Sequence, residues 1–126
     1  MRRYTTRLAV TLGTVFILAT ATLLPLQPVF GEGGARRDVM RAEEQHRQEA
    51  ITLATEAADH GQQGHVGALL TSAEAALQSA LKAGEAPHVD AGIRELKQAI
   101  EHGKAGHADV ATKHAEQAVT HLSEKY

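Results

Sequence analysis

The chain has 126 residues, eight of them histidine and none cysteine, with 13 basic against 15 acidic side chains and 3% aromatic residues. Without cysteine there is neither a disulfide framework nor a thiolate metal site. An acidic balance with almost no aromatic rings excludes the phosphate-binding and base-stacking routes to nucleic acid.

Arg2, Arg3 and Arg7 precede an uncharged run over residues 8–24, followed by Pro25 and Pro28, and this reads as an export signal over residues 1–31. Val29 and Gly31 suit the two small-residue positions of a cleavage site, so a mature, periplasmic chain is expected to begin near Glu32 with ten basic and fifteen acidic side chains, a net charge of −5. The competing expectation is an uncleaved anchor, because the run approaches the ~20 residues that span a bilayer; only then would the protein touch a membrane. A flexible segment, residues 32–37, is expected to lead into one domain over residues 38–126.

In that domain Ala50, Ile51, Leu53, Ala54, Ala57 and Ala58 form one stripe at helical spacing, which predicts a first helix over residues 38–60. Gly61 and Gly64 bracket a turn. Val66, Leu69, Leu70, Ala73, Ala76, Leu77, Ala80 and Leu81 give a second helix, broken at Gly84 and Pro87. Pro87 or Asp90 starts a third, with Val89, Ile93, Leu96 and Ile100 on its apolar face. Gly103 and Gly106 make another turn, and Ala108, Ala111, Ala115, Ala118, Val119 and Leu122 mark a fourth helix ending near Tyr126. No stretch alternates like a strand. The fold class is therefore all-α, an up-down-up-down four-helix bundle of two duplicated helical hairpins, with a core of alanine and few larger side chains that buries little apolar surface per contact.

The duplication is explicit. HGQQGH at residues 60–65 returns as HGKAGH at residues 102–107, an offset of 42 that also superposes His46 on His88, Ile51 on Ile93, Ala73 on Ala115 and Glu74 on Glu116. His107, His114 and His121 recur every seven residues and form a column beside the core stripe of the last helix. Seven residues rise ~10 Å, too far for two nitrogens bound at ~2 Å to one ion, so any site must combine helices. The antiparallel topology sets His60, His65, His102 and His107 level at the end with both turns. Leu53, Ser72, Glu95 and His114 follow one layer in, and His46, Ser79, His88 and His121 stand at the far end. Two groove pairings remain open. One brings His46 to His121 and His60 to His107; the other brings His102 to His107 and His88 to His121.

The candidate metal ligands are thus His60, His65, His102, His107, His114, His121, His88 and His46. Imidazole with carboxylate and no thiolate suits Cu(II), Ni(II) and Zn(II), and the Irving–Williams order puts Cu(II) first. Met40 alone would remain after processing to serve a thioether site. Plainer roles compete: His60 and His102 sit at helix C-terminal ends, where a cation is favourable, whereas His65 and His107 sit at helix starts, where it is not. The glycines read as turn formers, and Asp59, Glu95, Glu101 and Asp109 as solvated charges. No nucleophile elbow or phosphate-binding loop appears, and HGxxGH lacks the glutamate of the helical zinc-peptidase motif. A single Glu43-to-His46 spacing falls short of a di-iron site. The protein is expected not to be an enzyme and to be a monomer.

The segments AADHGQQGHVGALL, HVDAGIRELKQAIEHG and AIEHGKAGHADVATKHAEQAVTHL, spread over roughly residues 50–122, resemble the small metal-binding protein family (SmbP), exported bacterial four-helix bundles rich in histidine repeats. The resemblance implies binding of several divalent ions, copper above all, with a role in periplasmic storage, buffering or detoxification. The matching positions are His60, His65, His88, His102, His107, His114 and His121, while Ser72 and Ser79 stand where the family tends to have histidine. The alternative from another class is a non-catalytic interaction module, membrane-anchored or pH-responsive, in which the histidines are caps.

Overall fold

A computed structural model describes residues 32–125; the export signal and its cleavage site lie outside the described residues. Four helices follow in order: α1 (Glu32–Gln62), α2 (Val66–Ala80), α3 (Pro87–Lys104) and α4 (Ala108–Ser123). Packing is most extensive within the hairpins α1–α2 and α3–α4, then between α1 and α4 and between α2 and α3. Each helix therefore has two lateral neighbours, as short connections between successive antiparallel helices require. Among the described residues no helix is long and apolar enough to cross a membrane.

Pro87 opens α3 at its first turn, where its missing N–H is not needed and its fixed φ suits a helix. Two expectations change. Residues 32–37, expected as a flexible segment, are the first turns of α1, continuous with the bundle helix although exposed from Gly33 to Ala42; glycine in an N-terminal turn forfeits few intrahelical bonds. Leu81 is 61% exposed, because α2 stops at Ala80 and Leu81 serves as its C-cap, off the buried stripe.

Among the described residues the core is mostly alanine, and its largest side chains exposed by less than 2% are Leu69, Leu96, Leu122 and Val89. Leu69 packs with Ala57, Ala73, Ala99, Ala111 and Ala115 toward the two turns. Leu96, Leu122 and Val89 pack with Ala50, Ala54 and Ala80 toward the open end.

Close approach has a second source in the glycines of the duplicated phrase. Gly61 and Gly103 lie inside α1 and α3 rather than in the turns. A Cβ on Gly61 would overlap the Thr112 side chain, and one on Gly103 would come within 2.8 Å of Leu70 Cδ2. These two glycines let the hairpins pack against each other at the turn end. The turn role expected of all four falls to Gly64 (φ 76°) and Gly106 (φ 80°).

At the open end Arg47, whose side chain is 11% exposed, donates from one terminal nitrogen to the Leu122 carbonyl at 2.7 Å. It thus satisfies a C-terminal carbonyl of α4 from α1. Its Nε and other terminal nitrogen grip Glu44 at 2.8 and 2.7 Å. Hydrogen bonds from Arg47 and then from Gln48 hold the Glu44 carboxyl below the ordinary carboxylate range. A lowered folded-state pKa means that this contribution is present above the unfolded value, near 4.3, and fades as pH falls through the folded one. We expect Arg47→Met to lower the melting temperature by roughly 10 °C at neutral pH, and by less in acid, as read by circular dichroism at both pH values.

Candidate metal centre

The recurrence of HGxxGH has a backbone explanation. At the end of α1 the His65 N–H donates to the His60 carbonyl at 2.8 Å and the Gly64 N–H to the Gly61 carbonyl at 3.0 Å. At the end of α3 the His107 N–H reaches the His102 carbonyl at 2.9 Å and the Gly106 N–H the Gly103 carbonyl at 3.1 Å. With the second glycine left-handed, each turn is a Schellman cap. That motif ordinarily brings an apolar pair together, the residue just past the cap and the one five positions earlier. Here both members are histidine.

The caps therefore bring imidazoles together, with ring centres 6.3 Å apart for His60 and His65 and 5.8 Å apart for His102 and His107. Two imidazoles sharing an ion at ~2 Å per nitrogen place their ring centres roughly 4.5 to 6.5 Å apart, depending on the angle at the metal. Both pairs fall in that range. His65 and His107 also begin the next helices as N-caps, yet neither side chain makes a capping hydrogen bond. Both are exposed and can turn toward their partners. His60 Nδ1 is buried with no hydrogen-bond partner, the one such side-chain atom among the described residues; an unsatisfied buried nitrogen is unfavourable by about 1–3 kcal/mol.

In the second hairpin a third imidazole joins. His114 lies parallel to His102, with ring centres 5.3 Å apart and planes inclined by 3°. Its Nδ1 is 2.7 Å from Glu95 Oε2, and both side chains are 24% exposed. Glu95, expected to be a solvated charge, is instead the half-buried partner of a histidine. At the turn end the imidazole contacts thus lie within each hairpin, the second of the two open pairings in the case of His102 and His107.

The far-end histidines are engaged differently. His46 pairs with Glu49 at 3.5 Å on its own helix, and His121 with Glu124, the C-cap residue of α4, at 3.3 Å. His88 is half-buried and lines a cleft of about 380 Å³ with Met40, Glu43, Glu44 and Arg47. Among the described residues no three His, Asp or Glu side chains stand together so as to hold an ion. The arrangement at the turn end is one pair, His60 with His65, and one triplet in which His114 stacks on His102 while His107 lies tilted beside it.

No curated protein significantly matches the chain. A family model described as small metal-binding protein matches residues 15–125. That span includes all four helices, both HGxxGH caps and every candidate histidine, and the chain belongs to the small metal-binding protein family.

Proposed function

We propose that the protein binds divalent transition metals, Cu(II) ahead of Ni(II) and Zn(II), through histidines at its turn end, and buffers them in the periplasm as a monomer without catalytic activity. The observation that carries this reading is the pair of Schellman caps whose side-chain partners are imidazoles in both copies. A fold needing only the cap would take an apolar pair there; an imidazole pair adds donors whose chemistry suits these ions. The reading of the histidines as caps is weakened at His65 and His107, which cap nothing with their side chains. Export is supported by the arginines and uncharged run before Pro25.

Titrating the full chain without a histidine tag with Cu(II), Ni(II) and Zn(II) tests the proposal. We expect saturable binding of at least two ions near neutral pH, tightest for Cu(II), and release at about pH 5 as protons compete for the imidazoles. Binding no tighter than that of an unstructured peptide with the same histidines would refute it.

A further inference from the structure

At the offset of 42, residues 46–84 of the first hairpin fall on residues 88–126 of the second, and the copies differ where it matters for a ligand set. Glu95 and His114 stand in the second hairpin where the first has Leu53 and Ser72. The two differences are coupled in space, since Glu95 and His114 are bonded to each other at 2.7 Å. His114 then stacks on His102, which adjoins His107. Leucine offers no acceptor and serine no imidazole, so the equivalent chain of contacts in the first hairpin ends at His60 and His65.

We infer that the two halves are functionally unequal: Glu95 is a positioning residue that holds His114 as an Nε2 donor beside His102 and His107, making the α3–α4 turn end the tighter site for a divalent transition metal. The inference rests on the metal-binding reading above. An ionised carboxylate only accepts hydrogen bonds, so in the neutral imidazole the His114 proton sits on Nδ1 and the lone pair on Nε2. Metal-binding histidines generally donate their other ring N–H to such a partner, which fixes the ring and raises its basicity. Here that partner is in place before an ion arrives, and the half-buried pair leaves less ring freedom to be lost on binding. The turn end of the first hairpin has two imidazoles, His60 and His65, and the Nδ1 of His60 is buried with no hydrogen-bond partner.

The test follows the imidazole resonances of the full, untagged chain by NMR as Cu(II) is added below one equivalent. His102, His107 and His114 are expected to broaden first, with His60 and His65 persisting into the second equivalent. Simultaneous broadening, or broadening of the first hairpin ahead of the second, overturns the inequality and leaves metal binding standing. No broadening at any of the five overturns the metal-binding reading itself. Glu95→Leu writes the first hairpin's residue into the second. It should weaken the first-filling site about 10- to 100-fold, erase the Nδ1–H signature of His114 in its nitrogen shifts, and make the two hairpins fill together. Glu95→Gln keeps the shape and one acceptor oxygen and is expected to fall between. If both variants change only the melting temperature, leaving the filling order and the His114 nitrogen shifts as they were, Glu95 is structural and the inference fails.

Discussion

Replacing His102 and His107 together by alanine is expected to remove at least one Cu(II) ion from the saturated protein while leaving the metal-free chain fully helical. The separation of effects follows from how the cap is made. Its two hydrogen bonds run between backbone groups, from His107 N–H to the His102 carbonyl and from Gly106 N–H to the Gly103 carbonyl, and alanine keeps all four. The side chains lost are a half-buried ring in the last turn of α3 and an exposed one before α4. When protonated, the first interacts favourably with the helix dipole by ~0.3–1 kcal/mol, which alanine's helix propensity partly offsets. The metal-loaded protein responds more strongly. An ion present at about 100 times its Kd stabilises the folded chain by about 2.7 kcal/mol, roughly 10–20 °C in a domain of this size. The double variant should forfeit the share of that rise carried by the second hairpin. Calorimetric titration with melting curves, with and without Cu(II), reads both quantities. His60→Ala with His65→Ala is the matched control and should lose less, because the first hairpin lacks a counterpart to the His114–Glu95 pair. Unchanged stoichiometry in both double variants would move the ligands away from the turns.

Much of this arrangement is legible in the sequence, for reasons that differ from element to element. Helices α2, α3 and α4 announce themselves because their apolar positions recur at 3.6-residue spacing and glycine or proline stands at each break. The layers follow from antiparallel geometry alone, which put Glu95 level with His114 before their contact could be known. What spacing cannot fix is which neighbour a helix flank faces. A column displaced to one side of the core stripe can meet either lateral neighbour, and the choice depends on packing details such as the approach of α1 to Thr112 over Gly61. Glycine is itself ambiguous: it is selected both where φ must be positive, as at Gly64 and Gly106, and where a helix must come close, as at Gly61 and Gly103. Both demands occur within one six-residue phrase, and residue identity does not distinguish them. The Schellman cap was legible in principle, since a glycine one position before the second histidine is its signature.

The largest stability effects are expected at the opposite end, where Leu122 lies across Gly92. A Cβ on Gly92 would stand 2.6 Å from Leu122 Cγ and 2.8 Å from its Cδ2. Leu122 is fully buried in a cluster otherwise dominated by alanine. Gly92→Ala alone should be destabilising despite alanine's better helix propensity, by about 1–3 kcal/mol. The crowded atoms are the branch of a leucine that is fully buried. Leu122→Ala alone should be worse, about 2–5 kcal/mol, because alanine neighbours have no side-chain freedom with which to fill the space. That is a large part of the ~5–15 kcal/mol that stabilises a domain, so the melting temperature should fall by roughly 10–30 °C. Together the two changes should partly cancel. With Leu122 cut back, the methyl at residue 92 enters vacated space, and the helix gains the ~1 kcal/mol that separates alanine from glycine. The double variant should therefore be more stable than Leu122→Ala, with a coupling of about 1–3 kcal/mol, measurable by urea denaturation of all four proteins. Strict additivity would mean that Leu122 does not rest on Gly92 in solution. Since the pair lies away from both HGxxGH turns, Cu(II) should raise the melting temperature of every member of the cycle by a similar amount.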